Sequence, residues 1–369
     1  MPRKLVIHVG AQKCASTSLQ GSLRRLESES GGLLSFSFPK PSMLRHLQEL
    51  IEAGGTSGFD DIDNVLSGFS ADQAVISHEM LGNRPKLACW IVERALLKHG
   101  FDQVVIAGYT RLQSNYYVSA FSQWHFRDQK KLQSDISVMK LNGLDWQKFS
   151  ALERSVFAVV LSEKDRNWHS NYKNFWSGLK CLSGNASVVS NHIPTSSKPY
   201  SLIRNFCELT GIETKGDLEQ YDVRKNATFH PVVLFGLSSH LSGVGMHQTC
   251  FPGPHEGNLW LFRVCDRLAS QTSVKRQADD IYDPCFLDKL LGHLDRRTFK
   301  ENLSYCELMS VDSAYFAPAD NSELLPSHAE IVELARSVSN SRNSRKIKRF
   351  EQMIQNLFME AARAEITSR

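Results

Sequence analysis

Through the first two hundred residues, short apolar runs alternate with longer amphipathic stretches. Four runs, Leu5–Val9, Ala74–Ser77, Gln103–Tyr109 and Ala186–Ser190, are rich in Val and Ile and apolar almost throughout. Strands covered on both faces read this way, because neither set of alternating side chains meets water. Ser16–Leu26, Lys86–His99, Ser114–Phe126 and Arg166–Leu182 instead space their apolar residues as helices do. The alternation predicts an α/β fold with a central parallel sheet. Gly54, Gly55 and Gly58 mark a loop between its first and second repeats of strand and helix.

After about residue 210 the pattern changes. His230–Leu241 and Pro284–Leu294 read as helices, with Gly- and Pro-rich loops such as Phe251–His255 between them. Residues 1–210 are therefore expected to form an α/β core. Residues 211–369 are expected to form a mainly helical part packed on it, in one continuous domain. The stretch Arg336–Phe350, "RSVSNSRNSRKIKRF", is polar and basic and reads as a solvated segment leading into a last helix.

Composition narrows the partners. With 41% hydrophobic and 22% charged residues, the 369-residue chain is of ordinary globular type and able to bury a sizeable core. Its net charge of +4 admits an anionic ligand without requiring one. Nucleic-acid binders concentrate lysine and arginine more strongly, so no nucleic-acid partner is expected. The eight cysteines are scattered with no CxxC pair, which excludes the usual zinc-ribbon and thioredoxin patterns. His230, His240, His247 and His255, with Cys250 among them, match no zinc spacing, and no metal is expected. No apolar run reaches about 18 residues, so no transmembrane segment is predicted. "MPRK" leads into the first strand without a signal-peptide core, and a soluble, cytoplasmic protein is expected.

The chemistry concentrates where strands run into helices. In "LVIHVGAQKCASTSLQGSL", residues 5–23, a strand meets Gly10, then Lys13, then a run of small residues opening a helix. Such an arrangement aims backbone N–H groups and the positive end of a helix dipole at one point. Ala15, Ser16, Thr17 and Ser18 are small enough for an anion to reach the backbone, and three of them carry hydroxyls. The plainer alternative is a capped helix, with Ser16 or Thr17 as N-cap and Lys13 exposed. An ATP-type loop would place Gly-Lys-Ser/Thr after four spacers. Here Lys13 follows Gly10 by three positions, with no second glycine before it.

A second strand-to-helix junction lies in "QVVIAGYTRLQSNYYVSAFSQW", residues 103–124. Arg111 stands just past the strand end, facing the crevice where α/β sheets bind ligands, and Ser119 follows about two helical turns later. A third, "ISHEML", residues 76–81, offers His78 and Glu79 beyond another strand. Imidazole titrates near neutrality and suits a general base, whereas a carboxylate needs its pKa raised.

Together the three segments resemble the sulfotransferases that use 3′-phosphoadenosine 5′-phosphosulfate (PAPS), in their bacterial branch. "VRKNATFHP", residues 223–231, extends the likeness. The resemblance implies a P-loop-like three-layer sandwich and a sulfuryl transfer to a hydroxyl of a glycan, glycolipid or small metabolite. The product nucleotide would be adenosine 3′,5′-bisphosphate (PAP), and no metal is implied. Carried over position by position, the 5′-phosphosulfate contacts fall on Lys13, Cys14, Ala15, Ser16, Thr17 and Ser18. The 3′-phosphate contacts fall on Arg111 and Ser119. Lys13 would neutralise the leaving oxygen, and Glu79, ahead of His78, would take the acceptor proton. The departure is at Ala15-Ser16-Thr17, where the family usually has Gly-Thr-Thr; the alanine is compatible unless that position requires positive φ. Two other readings stay open: a catalytically degenerate nucleotide-binding scaffold, and a phosphotransferase with an atypical P-loop.

Overall fold

The computed structural model describes residues 2–10, 14–29, 31–55, 58–82, 84–123, 125–162, 172–182, 186–193, 200–214, 216–223, 229–243, 257–317 and 325–367. The chain divides into two compact units that interleave along the sequence. The first comprises Met1–Leu112, Asn167–Asn226 and Lys300–Ala317; the second comprises Gln113–Arg166, Ala227–Phe299 and Pro318–Arg369.

The first unit is built on five strands: β1 (Lys4–His8), β2 (Leu34–Ser37), β3 (Gln73–Ser77), β4 (Gln103–Thr110) and β5 (Ser187–His192). All neighbours pair in parallel, in the order β2-β3-β1-β4-β5. The α/β class and the parallel sheet are thus as the apolar runs predict. In β1, Leu5, Val6, Ile7 and His8 are all fully buried, as a central strand requires. The four strands anticipated from those runs are present, with ends shifted by a residue or two. β2 was not anticipated: it is a four-residue edge strand, half serine, beside the Gly31-Gly32 turn.

The helices of this unit include α1 (Ser16–Glu29), α2 (Pro41–Glu52), α3 (Asp60–Ser67) and α4 (Pro85–Leu97). α1 buries one stripe, Leu19, Leu23 and Leu26, against Val6, Val75 and Ala107 of the sheet. Each such leucine contributes about 1.5–3 kcal/mol of burial. Ile203 and Phe206 of the helix Leu202–Thr210 complete that layer. On the opposite side of β4, Gly108 lets the helix Tyr172–Leu182 come close. A Cβ there would stand 3.1 Å from the Trp176 ring. The expected glycine loop follows α2, with Gly54 and Gly58 at positive φ.

The second unit is helical among its described residues. Its core gathers Phe121, Phe149, Phe157, Phe235, Phe286 and Phe350. The expected helix at Pro284 runs well past Leu294, to Met309. The segment expected as one helix over His230–Leu241 is two, Pro231–Gly236 and Ser238–Gly243, broken at Leu237.

The basic stretch before the last helix is only partly solvated. Arg342 is buried and closes a bidentate pair on the fully buried Glu153, at 2.8 and 3.1 Å. The same carboxylate completes a capping box with Ser150 at the start of the helix Ala151–Val160. Removing one partner leaves a charge buried without its counter-ion, which costs about 3–5 kcal/mol. Arg342→Met is therefore expected to lower the unfolding free energy from chemical denaturation by that amount. Arg336→Met, on an exposed residue of the same stretch, is expected to change it by less than about 0.5 kcal/mol.

Candidate functional site

The strand order decides where a ligand can sit. From β1 the chain leaves toward β2, on one side, and from β4 it leaves toward β5, on the other. Such a switch opens a crevice at the carboxyl ends of the two strands. The register sets His8, the last residue of β1, beside Ser77, the last of β3, and beside Ala107 of β4, which runs on to Thr110. Three segments emerge there: the turn into α1, the single turn Glu79–Leu81 after β3, and Arg111-Leu112 after β4.

Of the residues anticipated from sequence, Lys13 lies outside the described residues. Cys14 and Ser16 are buried, Ser18 is half-buried and Thr17 is exposed at the start of α1. Leu19 N–H donates to the Ala15 carbonyl at 2.9 Å, so the helical ladder begins at Ala15. The first turn of α1 holds no acidic side chain to offset its positive end. Ala15 itself has φ +62°, the left-handed region that glycine occupies without cost. The position where the resemblance has glycine is thus one that strains an alanine by about 1–2 kcal/mol. Gly10 is required for a different reason. A Cβ there would come within 2.7 Å of Ser16 Oγ and 2.8 Å of the His8 ring.

Cys14, Glu79 and Arg111 are brought together. The Arg111 charge draws the Cys14 thiol down and the Glu79 charge pushes it up, but burial outweighs both and lifts it to about 12. Cys14 is therefore a protonated, apolar part of the wall and not a thiolate nucleophile. Beside the thiol stands Tyr172, a fully buried residue outside the site candidates read from the sequence. Tyr172 donates its hydroxyl proton to the Arg111 carbonyl at 2.7 Å and accepts from the Arg111 N–H at 3.4 Å. One phenol thus satisfies both backbone groups of Arg111 at the end of β4. Tyr315 accepts from the next N–H, that of Leu112, at 3.3 Å. The backbone that carries the Arg111 guanidinium is held by two tyrosines.

His78 stands apart from the role of a base. Its Nδ1 accepts the Met80 N–H at 3.0 Å, which puts the ring proton on Nε2. Burial lowers its pKa to about 4. A neutral imidazole with Nδ1 occupied offers a donor and no free lone pair; Glu79, the other candidate on that segment, is half-buried. His8 was likewise not singled out. It is fully buried beneath the turn, with Nδ1 2.8 Å from Ser77 Oγ and Nε2 without a partner, and burial lowers its pKa to about 3. Gln20 of α1 donates to the same Ser77 hydroxyl at 3.2 Å. Ser119 is buried in the helix Gln113–Gln123, which belongs to the second unit.

Among the described residues no three His, Cys, Asp or Glu side chains gather as metal ligands. His247, Cys250 and His255 lie outside those residues. Among the described residues no helix is long and apolar enough to cross a membrane. No protein-family model, curated protein or solved structure matches the chain.

Two measurements follow from this geometry. Ala15→Gly is expected to raise stability by about 1 kcal/mol in urea denaturation, the strain relieved less the entropy glycine adds to the unfolded chain. A loss of stability would show that position 15 does not adopt positive φ. For pH, His8 and His78 have folded pKa values far below the unfolded value near 6.5. As pH falls below 6.5 the unfolded chain takes up protons that the folded chain refuses. Stability is then lost at up to about 1.4 kcal/mol per pH unit for each histidine, down to pH 4. Replacing His78 by Gln is expected to flatten the melting temperature across pH 4–6.5.

Proposed function

We propose that this chain is a sulfotransferase with a P-loop-like core, transferring a sulfuryl group from PAPS to an acceptor hydroxyl. The observation that carries the reading is the convergence of the turn into α1, Glu79 and Arg111 on Cys14 at the crevice of the sheet. An anion-suited turn, a separate guanidinium and a carboxylate are the three parts such a transfer needs. The turn, with the small residues Ala15, Ser16, Thr17 and Ser18, takes the 5′-phosphosulfate through its N–H groups and hydroxyls. Arg111 takes the 3′-phosphate through its planar fork; Ser119, which the resemblance implies as its companion, lies in the second unit and carries no part of this reading.

In the reaction the acceptor oxygen forms a bond to sulfur as the bridging bond from sulfur to the 5′-phosphate oxygen breaks. The acceptor proton passes to Glu79, and PAP leaves with its bridging oxygen neutralised by Lys13. Charge spreads over the peripheral oxygens of the transferring group, as in phosphoryl transfer. Fixed donors in the turn stabilise it without reorganising. In-line placement of the two substrates supplies a further part of the rate.

The test is calorimetric titration of PAP into the protein. Binding is expected, weakened about 10- to 100-fold by Arg111→Ala, as loss of a charge-assisted contact predicts. Lys13→Ala and Glu79→Gln are expected to lower turnover of a radiolabelled donor far more than they lower PAP affinity. Absence of any heat or thermal shift with PAP would falsify the reading. The degenerate-scaffold alternative draws on one observation, the strained Ala15. It predicts PAP binding with no product from any acceptor.

A further inference from the structure

The residues above line the crevice toward β1 and β4. Its other flank, where β2 ends beside β3, carries side chains to which donor binding assigns nothing. Phe38 lies just past β2 and is 39% exposed. Its ring stacks on the His78 imidazole, with centroids 4.7 Å apart and planes 17° from parallel. The Arg24 guanidinium of α1 stands 5.6 Å from the centre of that ring and 6.0 Å from Phe36. Arg24 is exposed, and among the described residues no carboxylate pairs with it. Glu27, one turn along α1, gives an oxygen to the Phe36 N–H at 2.6 Å. Next to the ring, His78 Nε2 is buried without a partner.

A single exposed phenylalanine is ordinary. One stacked on the residue before the proposed base, beside an arginine with no carboxylate partner among the described residues, at the ligand-binding edge of a parallel sheet, is not. We infer that Phe38 and Arg24 form the acceptor subsite, and that it takes a hydroxylated ring compound bearing a carboxylate. The apolar C–H groups of the ring pack on Phe38, and the carboxylate meets the guanidinium fork, which matches it bidentately. The carboxylate thereby selects the acceptor, while Glu79 deals with its hydroxyl. Ser16 and Arg24 are about 12 Å apart along the axis of α1. An acceptor reaching from the turn to Arg24 spans more than one sugar ring, which makes an acidic oligosaccharide the class of substrate. The inference rests on the sulfotransferase reading for the reaction but on its own residues for the subsite.

The experiment uses the full chain and two disaccharides that differ in one carboxylate, cellobiose and cellobiouronic acid, with affinities read by saturation-transfer NMR at low salt. The acid is expected to bind about 5- to 10-fold more tightly than the neutral sugar. Arg24→Gln is expected to abolish the difference, Arg24→Lys to retain part of it, and Phe38→Ala to weaken both sugars. All three changes are at exposed positions, and unchanged melting temperatures are expected to confirm folding. Equal affinities in the unaltered protein, or a preference that survives Arg24→Gln, overturn the subsite. PAP titrated into the same samples separates the two claims. PAP binding without a carboxylate preference removes the subsite and leaves the sulfotransferase reading. A preference that depends on Arg24, without PAP binding, does the reverse.

Discussion

The pairing of β1 on both edges is the constraint from which the rest of the first unit follows. Hydrogen-bonded to β3 on one side and β4 on the other, β1 brings His8, Ser77 and Ala107 level. The chain leaving β1 and β3 then begins at the same height, while β4 runs three residues further at the same end of the sheet, to Thr110, before Arg111. The ladder continues past the strands proper. His78 N–H donates to the His8 carbonyl at 3.2 Å, and Val9 N–H to the Ala107 carbonyl at 2.9 Å. A one-residue slip would turn His8 from the α1 side of the sheet to the other and take Ser77 out of its reach. Tyr172 then holds the backbone at Arg111, through both its carbonyl and its N–H.

Burial sorts the titratable groups at this crevice. His8, His78 and Cys14 are all driven toward their neutral forms by loss of solvent. Arg111 and Glu79 act on Cys14 as opposite charges. In the sulfotransferase reading, an anion at this crevice would meet no competing imidazolium or thiolate from His8, His78 or Cys14. The neutral imidazoles are useful in another way: each keeps an Nε2 without a partner, next to the turn or next to Phe38. Such a buried group is costly unless something completes it.

What could be read from the sequence depended on how local its cause was. β1, β3 and β4 were legible because burial on both faces leaves an unbroken apolar run. β2 was not: an edge strand of Leu-Ser-Phe-Ser carries no such run, and its register comes from β3. The helix from Pro284 runs on through the charged stretch Asp295-Arg296-Arg297, whose Asp295 and Arg297 bond other segments. Asp295 accepts from Ser114 N–H, and Arg297 donates to three carbonyls at the end of the helix Ala151–Val160. Of the candidate site, the strand-end positions of Cys14, Glu79 and Arg111 were legible. Tyr172 and His8 were not, because a buried tyrosine or histidine in a sequence carries no sign of what it will face. At position 15 the residue type is visible in the sequence, whereas its left-handed backbone is set by the surrounding structure.

The most direct test of the account is a crystal structure of the protein with PAP. The account predicts the 5′-phosphate at about 2.7–3.1 Å from N–H groups of the turn between Cys14 and Ser18. It predicts the 3′-phosphate on the Arg111 guanidinium, and the open side of the nucleotide facing Glu79 and Phe38. A nucleotide bound elsewhere, or with its phosphates turned away from the carboxyl ends of β1 and β4, would contradict it.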